Sequence, residues 1–247
     1  MNVIKSELYK LKHTWVPWIH ILLPIIYALL FWGAAKVTTL KNFSIAEIYQ
    51  SYASILGGLL PTIIGLLTAK MIDMEFEAGR FQVLLAGTKR RSQSYLGKLS
   101  VLLLGGFVAI TLSIGIFALL FGNQTLADGV AEIFFLFVGI ISVYLIHLWL
   151  SLAISGSASI GLGFIEMLLA FLCMTGLGDK IWYFLSCAWP TRLTSTFLLS
   201  KQMTDQSLMY TELIKWSYVA IPMLLVLMIG SLAWFKWWNG RTINEFL

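Results

Sequence analysis

The chain has 247 residues and a formal net charge of +5; 59% of its residues are hydrophobic and only 12% are charged. A soluble domain of this length cannot bury so much apolar surface, so the composition excludes a soluble globular protein and favours one embedded in a bilayer. The basic excess is typical of membrane flanks and anionic lipid, and it gives no argument for nucleic acid as a partner.

Six apolar segments of the chain are long enough to cross a bilayer, which takes about 20 helical residues. Tryptophan rings favour the membrane–water interface, and Trp15 and Trp32 flank the first segment as Trp216 and Trp237 flank the last. We therefore predict an all-α integral membrane protein with six transmembrane helices and no separate soluble domain. The predicted spans are 15–34, 48–69, 95–121, 130–154, 157–177 and 217–237.

Residues 1–14 precede the first span and carry Ile4, Leu8 and Leu11 at helical spacing, with lysines on the other faces. This pattern predicts a short amphipathic helix that lies in the cytoplasmic interface of the membrane. A basic flank that only sets the topology is the alternative.

The orientation follows from the lysine and arginine residues outside the spans, because cytoplasmic loops carry more of them. With both termini on one side, that side has eleven basic residues and the other side has six. We therefore expect a multi-pass protein with both termini in the cytoplasm. The eleven are Lys5, Lys10, Lys12, Lys70, Arg80, Lys89, Arg90, Arg91, Lys98, Lys236 and Arg241.

The segment 70–98, between the second and third spans, contains most of this charge. Its three acidic residues come before its basic cluster, an order that suits the two ends of a helix dipole. Glu77, Phe81 and the apolar pair 84–85 are spaced so that they share one helical face. The pattern predicts a short cytosolic helix over 73–86.

Two ionisable residues lie inside the fourth and fifth predicted spans. His147 and Glu166 are each about 10–12 Å from the cytoplasmic end of their helix, and the short turn 155–159 joins the two helices. A His–Glu pair is therefore geometrically possible, and such residues in hydrocarbon are costly enough to suggest a function. A structural hydrogen bond, or a protonated Glu166 at a subunit interface, are the alternatives.

The outer segment 178–215, between the last two spans, contains apolar runs that are too short to cross a bilayer. We expect them to form re-entrant or interfacial helices. Such a segment either packs against the spans or contacts a substrate. The aromatic residues available for substrate contact are Trp182, Tyr183, Phe184 and Trp189.

The sequence contains no motif that supports catalysis by this chain. It has no Gly-x-x-x-x-Gly-Lys-Ser/Thr loop, so any ATP hydrolysis would require a second polypeptide. Cys173 and Cys187 provide neither a disulfide framework nor a metal-ligand spacing. We therefore predict a chain that is not an enzyme and binds no cofactor or metal.

An acidic residue, then Gly79, an apolar pair, a basic cluster and Lys98 entering a span resemble the coupling region of ABC-2 type transporter permeases. The six-span layout resembles the same family, so the likeness covers the whole chain, with 15–247 as the transmembrane domain. The resemblance implies an ABC ATPase partner in two copies, which binds ATP and Mg²⁺. It implies coupling residues in this chain at Glu75, Glu77, Gly79, Arg80, Phe81, Leu84 and Leu85.

The opening residues 7–20, ELYKLKHTWVPWIH, resemble more narrowly the permease subunits of lantibiotic-immunity ABC exporters. That resemblance implies a second, diverged permease, a bacteriocin peptide as substrate and the bacterial cell membrane as location. Two alternatives remain. The chain belongs to an ABC-2 exporter of another hydrophobic substrate, such as a drug or lipid, or it is a non-transporting membrane scaffold or sensor.

Overall fold

A computed structural model describes residues 3–79, 81–86, 91–122 and 124–240 of the chain. The regular elements in these ranges are all helical, which confirms the all-α prediction. The α-helices of the described residues are α1 (Val3–Leu11), α2 (Val16–Val37), α3 (Ile45–Glu77), α4 (Gln82–Ala86), α5 (Arg91–Phe121), α6 (Leu126–Ala153), α7 (Gly156–Leu172), α8 (Trp189–Gln202) and α9 (Ser207–Trp237).

Five of these helices, α2, α3, α5, α6 and α9, are long and apolar enough to cross a membrane. They correspond to five of the six predicted spans. The remaining predicted span, 157–177, forms α7, which has 17 residues and ends at Leu172. Its length of roughly 25 Å is less than the roughly 30 Å of a hydrocarbon core, so the count of six spans stays a prediction.

The helix ends follow from local sequence. Ser44 and Glu47 form a capping box at the start of α3, in which each side chain accepts a hydrogen bond from the backbone N–H of the other. Thr125 and Ser155 accept a hydrogen bond from the N–H three residues later and so begin α6 and α7. Because α7 starts immediately after α6 ends, these two helices form a tight hairpin.

Helix α3 is the centre of the bundle and packs against α6, α7 and α8, whereas α2 packs mainly on α5. In the most apolar stretch of α3, 67% of the residues are buried, compared with 17% in α9. The apolar faces of α9 and α2 are therefore the surfaces available to lipid or to another chain.

One end of the bundle, called here the basic end, brings together α1, the end of α3, α4, the start of α5 and the end of α9. Phe81 packs its ring against Phe76 and Trp238, with centroid distances of 5.6 and 5.0 Å. Arg91 donates a hydrogen bond to the carbonyl oxygen of Trp238 at 2.8 Å. Phe81 and Arg91 thus connect the region between α3 and α5 to the end of α9.

The prediction of one helix over 73–86 is wrong. Helix α3 continues to Glu77 and then stops, because Gly79 has φ 143° and Phe81 has φ 68°, both outside the right-handed helical region. The short helix α4 begins only at Gln82. Glu77 is exposed whereas Phe81 is buried, so the two side chains do not share a face.

The outer segment 178–215 contains α8, whose first turn approaches the backbones of α3 and α6 at two glycines. A Cβ atom at Gly57 would lie 2.9 Å from the Thr191 backbone nitrogen, and one at Gly139 would lie 2.7 Å from the Pro190 nitrogen. A residue with a side chain would force these backbones apart. Helix α8 therefore packs into the bundle between spans and does not lie loosely on its surface.

Candidate functional site

Four charged side chains form a group at the basic end, called here the ionic cluster: Glu7, Glu75 and Lys98 are buried, and Lys10 lies at the exposed edge. The Lys98 ammonium donates hydrogen bonds to Glu7 Oε2 at 2.7 Å and to Glu75 Oε1 at 2.6 Å. The Lys10 ammonium donates to Glu75 Oε1 at 2.6 Å and to Glu7 Oε1 at 3.0 Å. The cluster thus joins α1, α3 and α5.

The ionic cluster is electrically balanced, with two ammonium groups and two carboxylates. The Lys98 side chain is only 1% exposed, so its charge depends on the two glutamates for compensation. Burial lowers the pKa of Lys10, but its hydrogen bonds to Glu75 and Glu7 outweigh this, and the pKa is raised. A movement of the end of α3 therefore acts on α1 and α5 through these ionic contacts.

Some of the residues predicted to couple to an ATPase are buried in the bundle, and others lie at its surface. Glu75 belongs to the ionic cluster, while Phe81 and Leu84 are buried and Leu85 packs partly on the core. Glu77 is exposed beside the break that contains Gly79. Arg80 lies outside the described residues.

Sequence reasoning missed the cluster partners Glu7 and Lys10. Their spacing of three residues on one short helix was the available signal, since such a pair lies on one face. That signal does not identify Glu75 or Lys98, which are distant in sequence.

The structure places His147 and Glu166 in contact, with His147 Nε2 2.9 Å from Glu166 Oε2. The other ring nitrogen, Nδ1, lies 2.8 Å from the hydroxyl oxygen of Ser159, which is 3.1 Å from that of Thr68. All four residues are buried. The resulting polar network connects α6, α7 and α3.

The polar network accommodates either protonation state of the histidine. A neutral His147 accepts a hydrogen bond from Ser159; a protonated one donates to it, and the hydroxyl then donates to the Gly65 carbonyl oxygen, 3.3 Å away. Although serine, histidine and glutamate follow one another as in a hydrolytic triad, Ser159 is fully buried. The network therefore fastens three helices to one another, and it does not present a nucleophile to a substrate.

Three of the four aromatic residues predicted to contact a substrate are buried in this structure, and the substrate contact itself stays a prediction. Trp182, Tyr183 and Trp189 are 3%, 9% and 0% exposed, whereas Phe184 is 65% exposed. The Trp189 indole N–H donates to the Tyr183 carbonyl oxygen at 2.9 Å, and its ring packs edge-on against Trp216. Large aromatic side chains with a polar atom are well suited to such buried positions, where both parts find partners.

In the described ranges, no group of three or more His, Cys, Asp or Glu side chains is placed to hold a metal ion.

A family model described as "ABC-2 family transporter protein" matches residues 3–177 of the chain. The matched range runs from α1 beyond the end of α7 and includes both the ionic cluster and the His147–Glu166 pair. Comparison with curated proteins found no match. Comparison with solved structures found none either.

Proposed function

Because the chain belongs to the ABC-2 family of transporter proteins, we propose that it is the permease subunit of an ATP-driven exporter in the bacterial cell membrane. Members of this family normally work with an ABC ATPase, so the chain is a membrane component of a transporter. In the proposed complex, two ATPase copies bind ATP and Mg²⁺. This chain pairs with a second, diverged permease, and the substrate is a lantibiotic or related bacteriocin peptide.

The ionic cluster is the observation that best supports coupling to an ATPase. Around the break between α3 and α4, the side chains of Glu77, Gln82 and Ala86 are exposed, while those of Phe81 and Leu84 face the bundle. A partner that contacts the exposed side chains pushes on the end of α3. Because separating buried charges costs several kcal/mol, this displacement passes through the cluster to α1 and α5.

The lantibiotic substrate is supported by the resemblance of residues 7–20 to immunity permeases. Such peptides are cationic and amphipathic and act at the outer face of the membrane. The burial of Trp182 and Trp189 leaves Phe184 as the exposed aromatic residue among those predicted to contact a substrate. We therefore assign initial capture to the outer end of the bundle, with Phe184 as the apolar contact.

We expect the basic end to face the cytoplasm. Gln93 and Gln202 are exposed at opposite ends of the bundle, so a cysteine at each position, in a chain without its native cysteines, reports the orientation. A membrane-impermeant maleimide added to intact cells should label Gln202→Cys and should label Gln93→Cys only after the cells are opened. The reverse pattern would contradict this orientation. It would also contradict the proposal that the exposed side chains of Glu77, Gln82 and Ala86 contact an ATPase.

Expression of this chain with its ATPase and a second permease should raise the survival of a sensitive strain against at least one of a panel of lantibiotics. The double variant Glu77→Lys/Gln82→Lys should remove this protection. It reverses the charge at Glu77 and adds a positive charge at Gln82, and both are exposed side chains proposed to contact the ATPase. It should also lose co-purification of the ATPase. Gln93→Lys, another exposed position at the basic end, is the matched control and should behave like the wild type.

Unchanged survival across the panel, with an intact complex, would refute the immunity function and favour export of another hydrophobic substrate. Failure to assemble with any ATPase would favour a scaffold or sensor.

A further inference from the structure

A groove opens on the side of the bundle next to the basic end, between α1, α2 and α5. Its volume is about 200 Å³, and its lining is apolar except for His20. Its floor contains buried side chains such as Val16 and Val101, whereas Ile21 and Leu104 at its rim are 43% and 52% exposed. The groove is therefore open on one side, where the bundle meets the bilayer.

The polar side chain in the lining is occupied by its own helix and its neighbour. His20 Nδ1 lies 2.8 Å from the carbonyl oxygen of Val16, and a Cβ atom at Gly105 would lie 2.5 Å from His20 Nε2. The imidazole ring is thus packed between α2 and α5. The groove consequently favours an apolar occupant.

The groove extends from the basic end towards the middle of the bundle. Leu8 and Leu11 of α1 line it at the basic end. Val101 and Val108 line it on α5, and their separation of seven residues corresponds to about 10 Å along the helix. A space of this length and volume accommodates several methylene groups of one acyl chain.

Two exposed lysines flank the wall that α1 contributes to the groove. Lys5 lies three positions before Leu8 and Lys12 four positions after it, so all three share one side of this segment. Neither lysine forms an ion pair within the described ranges. The acidic residue of α1, Glu7, is bound in the ionic cluster, and α2 and α5 contain no acidic residue. Positive charge beside the groove therefore lacks a partner among the three helices that form it.

Two tryptophan side chains lie beside the same groove, at the start of α2. Trp15 is 42% exposed and Trp18 is 61% exposed, and Trp18 directly follows Pro17, which lines the groove. Indole rings favour the level of the lipid headgroups, where the N–H donates a hydrogen bond and the ring contacts acyl chains. Their position indicates that the mouth of the groove lies at headgroup level.

We propose that this groove binds one acyl chain of an anionic phospholipid, whose phosphate group lies against the ammonium groups of Lys5 and Lys12. The apolar lining matches the chain, and the unpaired positive charge matches the headgroup. A helix of a partner protein is the poorer occupant, because a helix with its side chains is about 10–12 Å wide and the groove holds only about 200 Å³. The assignment of the lipid to the cytoplasmic leaflet rests on the orientation proposed above, whereas the site itself does not.

A bound lipid would hold α1 on the side opposite the ionic cluster. Leu8 and Leu11 then contact the acyl chain, while Glu7 contacts Lys98 of α5 at 2.7 Å. Anionic lipid thus contributes to the position of a helix that supplies two members of the cluster.

The site is testable by native mass spectrometry of the purified full-length chain in detergent, with equal amounts of phosphatidylglycerol and phosphatidylcholine that carry the same acyl chains. The wild type should bind phosphatidylglycerol about 10–30-fold more tightly, since two lysines contribute to the attraction. Lys5→Gln/Lys12→Gln should lose this preference. Lys36→Gln/Lys41→Gln, which changes two exposed lysines at the other end of α2 and just beyond it, is the matched control and should keep it.

A second pair of variants tests the groove without changing any charge. Val108→Trp places a large side chain in the groove and should weaken the binding of both lipids by about tenfold, the loss expected when one or two methylene groups are no longer buried. Leu119→Trp, at an 86% exposed position of α5 outside the groove, should bind both lipids like the wild type.

Equal binding of the two lipids by the wild type would overturn the site, as would a preference that survives in Lys5→Gln/Lys12→Gln. An equal loss of preference in the Lys36/Lys41 control would show a general effect of net charge and would also overturn it. Displacement of phosphatidylglycerol by inorganic phosphate would assign the lysines to a free anion and overturn the lipid. Because the assay needs neither ATPase nor peptide, a lipid preference without cellular protection refutes only the peptide-export function, and protection without the preference refutes only this site.

Discussion

Replacing Lys98 with methionine should destabilise the chain by about 3–5 kcal/mol, the cost of leaving a buried charge without its partner. The ammonium of Lys98 contacts both Glu7 and Glu75, and all three side chains are less than a tenth exposed. For a chain of this size the change corresponds to a fall in apparent melting temperature of about 6–20 °C. Thermal unfolding of the purified protein, followed by loss of the monodisperse peak in size-exclusion chromatography, measures it.

Two variants test whether charge imbalance is the cause. Lys10→Met removes the other ammonium of the cluster, whose side chain is 37% exposed, and should cost only about 0–1 kcal/mol. Glu75→Leu combined with Lys98→Met removes one charge of each sign and leaves the Glu7–Lys10 pair. This double variant should regain most of the lost stability, and if it remains as unstable as Lys98→Met, charge imbalance is not the explanation.

The same double variant separates stability from coupling. We expect it to fold and assemble but to lose substrate-stimulated ATPase activity, since α3 is then no longer fastened to α5 by hydrogen-bonded charges. Full stimulation in the double variant would show that the ionic cluster only stabilises the fold.

Replacing Gly139 with valine should prevent α8 from packing into the bundle. Even the first side-chain carbon at this position would lie 2.7 Å from the nitrogen and 2.9 Å from the Cα of Pro190. These are backbone atoms, which cannot rotate away, so the expected destabilisation is about 3 kcal/mol or more. The melting temperature of the purified chain reports this loss.

The native thiol of Cys187 reports the displacement of α8 directly. Cys187 is 3% exposed, and burial raises its pKa from 9.0 to about 12. If α8 detaches, the pKa falls back, and the thiolate fraction at mildly alkaline pH rises by up to about a thousandfold. Alkylation by N-ethylmaleimide, followed by mass spectrometry, should therefore be much faster in Gly139→Val than in the wild type.

Two other glycines serve as matched controls for Gly139. A Cβ at Gly115 in α5 or at Gly161 in α7 would have no atom within 4 Å. Alanine at either position should leave the thiol protected and should stabilise the chain by about 0.4–1 kcal/mol, because it reduces the entropy of the unfolded state. Slow alkylation in Gly139→Val would mean that α8 tolerates the substitution and that the close approach is not required.

The sequence predicted well those features that depend on one segment at a time. Each long apolar run must form a helix in a membrane, because its backbone polar groups have no other partners there. The sequence also indicated that a His147–Glu166 contact was geometrically possible, because the two residues have equal depth on helices that a short turn makes neighbours. Both arguments use only helical rise and chain connectivity.

The break after α3 and the burial of the outer aromatic residues were not predictable in this way. A helical spacing of Glu77 and Phe81 describes side chains and says nothing about the sign of φ at Phe81, which depends on the pocket between Phe76 and Trp238. Likewise, a run of aromatic residues predicts an apolar surface, but it does not tell which part of the chain will cover Trp189.

The hydropathy pattern alone identifies a helical bundle in a membrane and the position of most of its spans, because hydropathy and helix length are local properties. The pairing of charges, in contrast, is a property of the folded bundle. Glu7 and Lys98 are 91 residues apart and meet because α1 packs against α5. Whether a buried charge meets a partner depends on which helix faces pack together, and that is settled by the fit of all the helices at once.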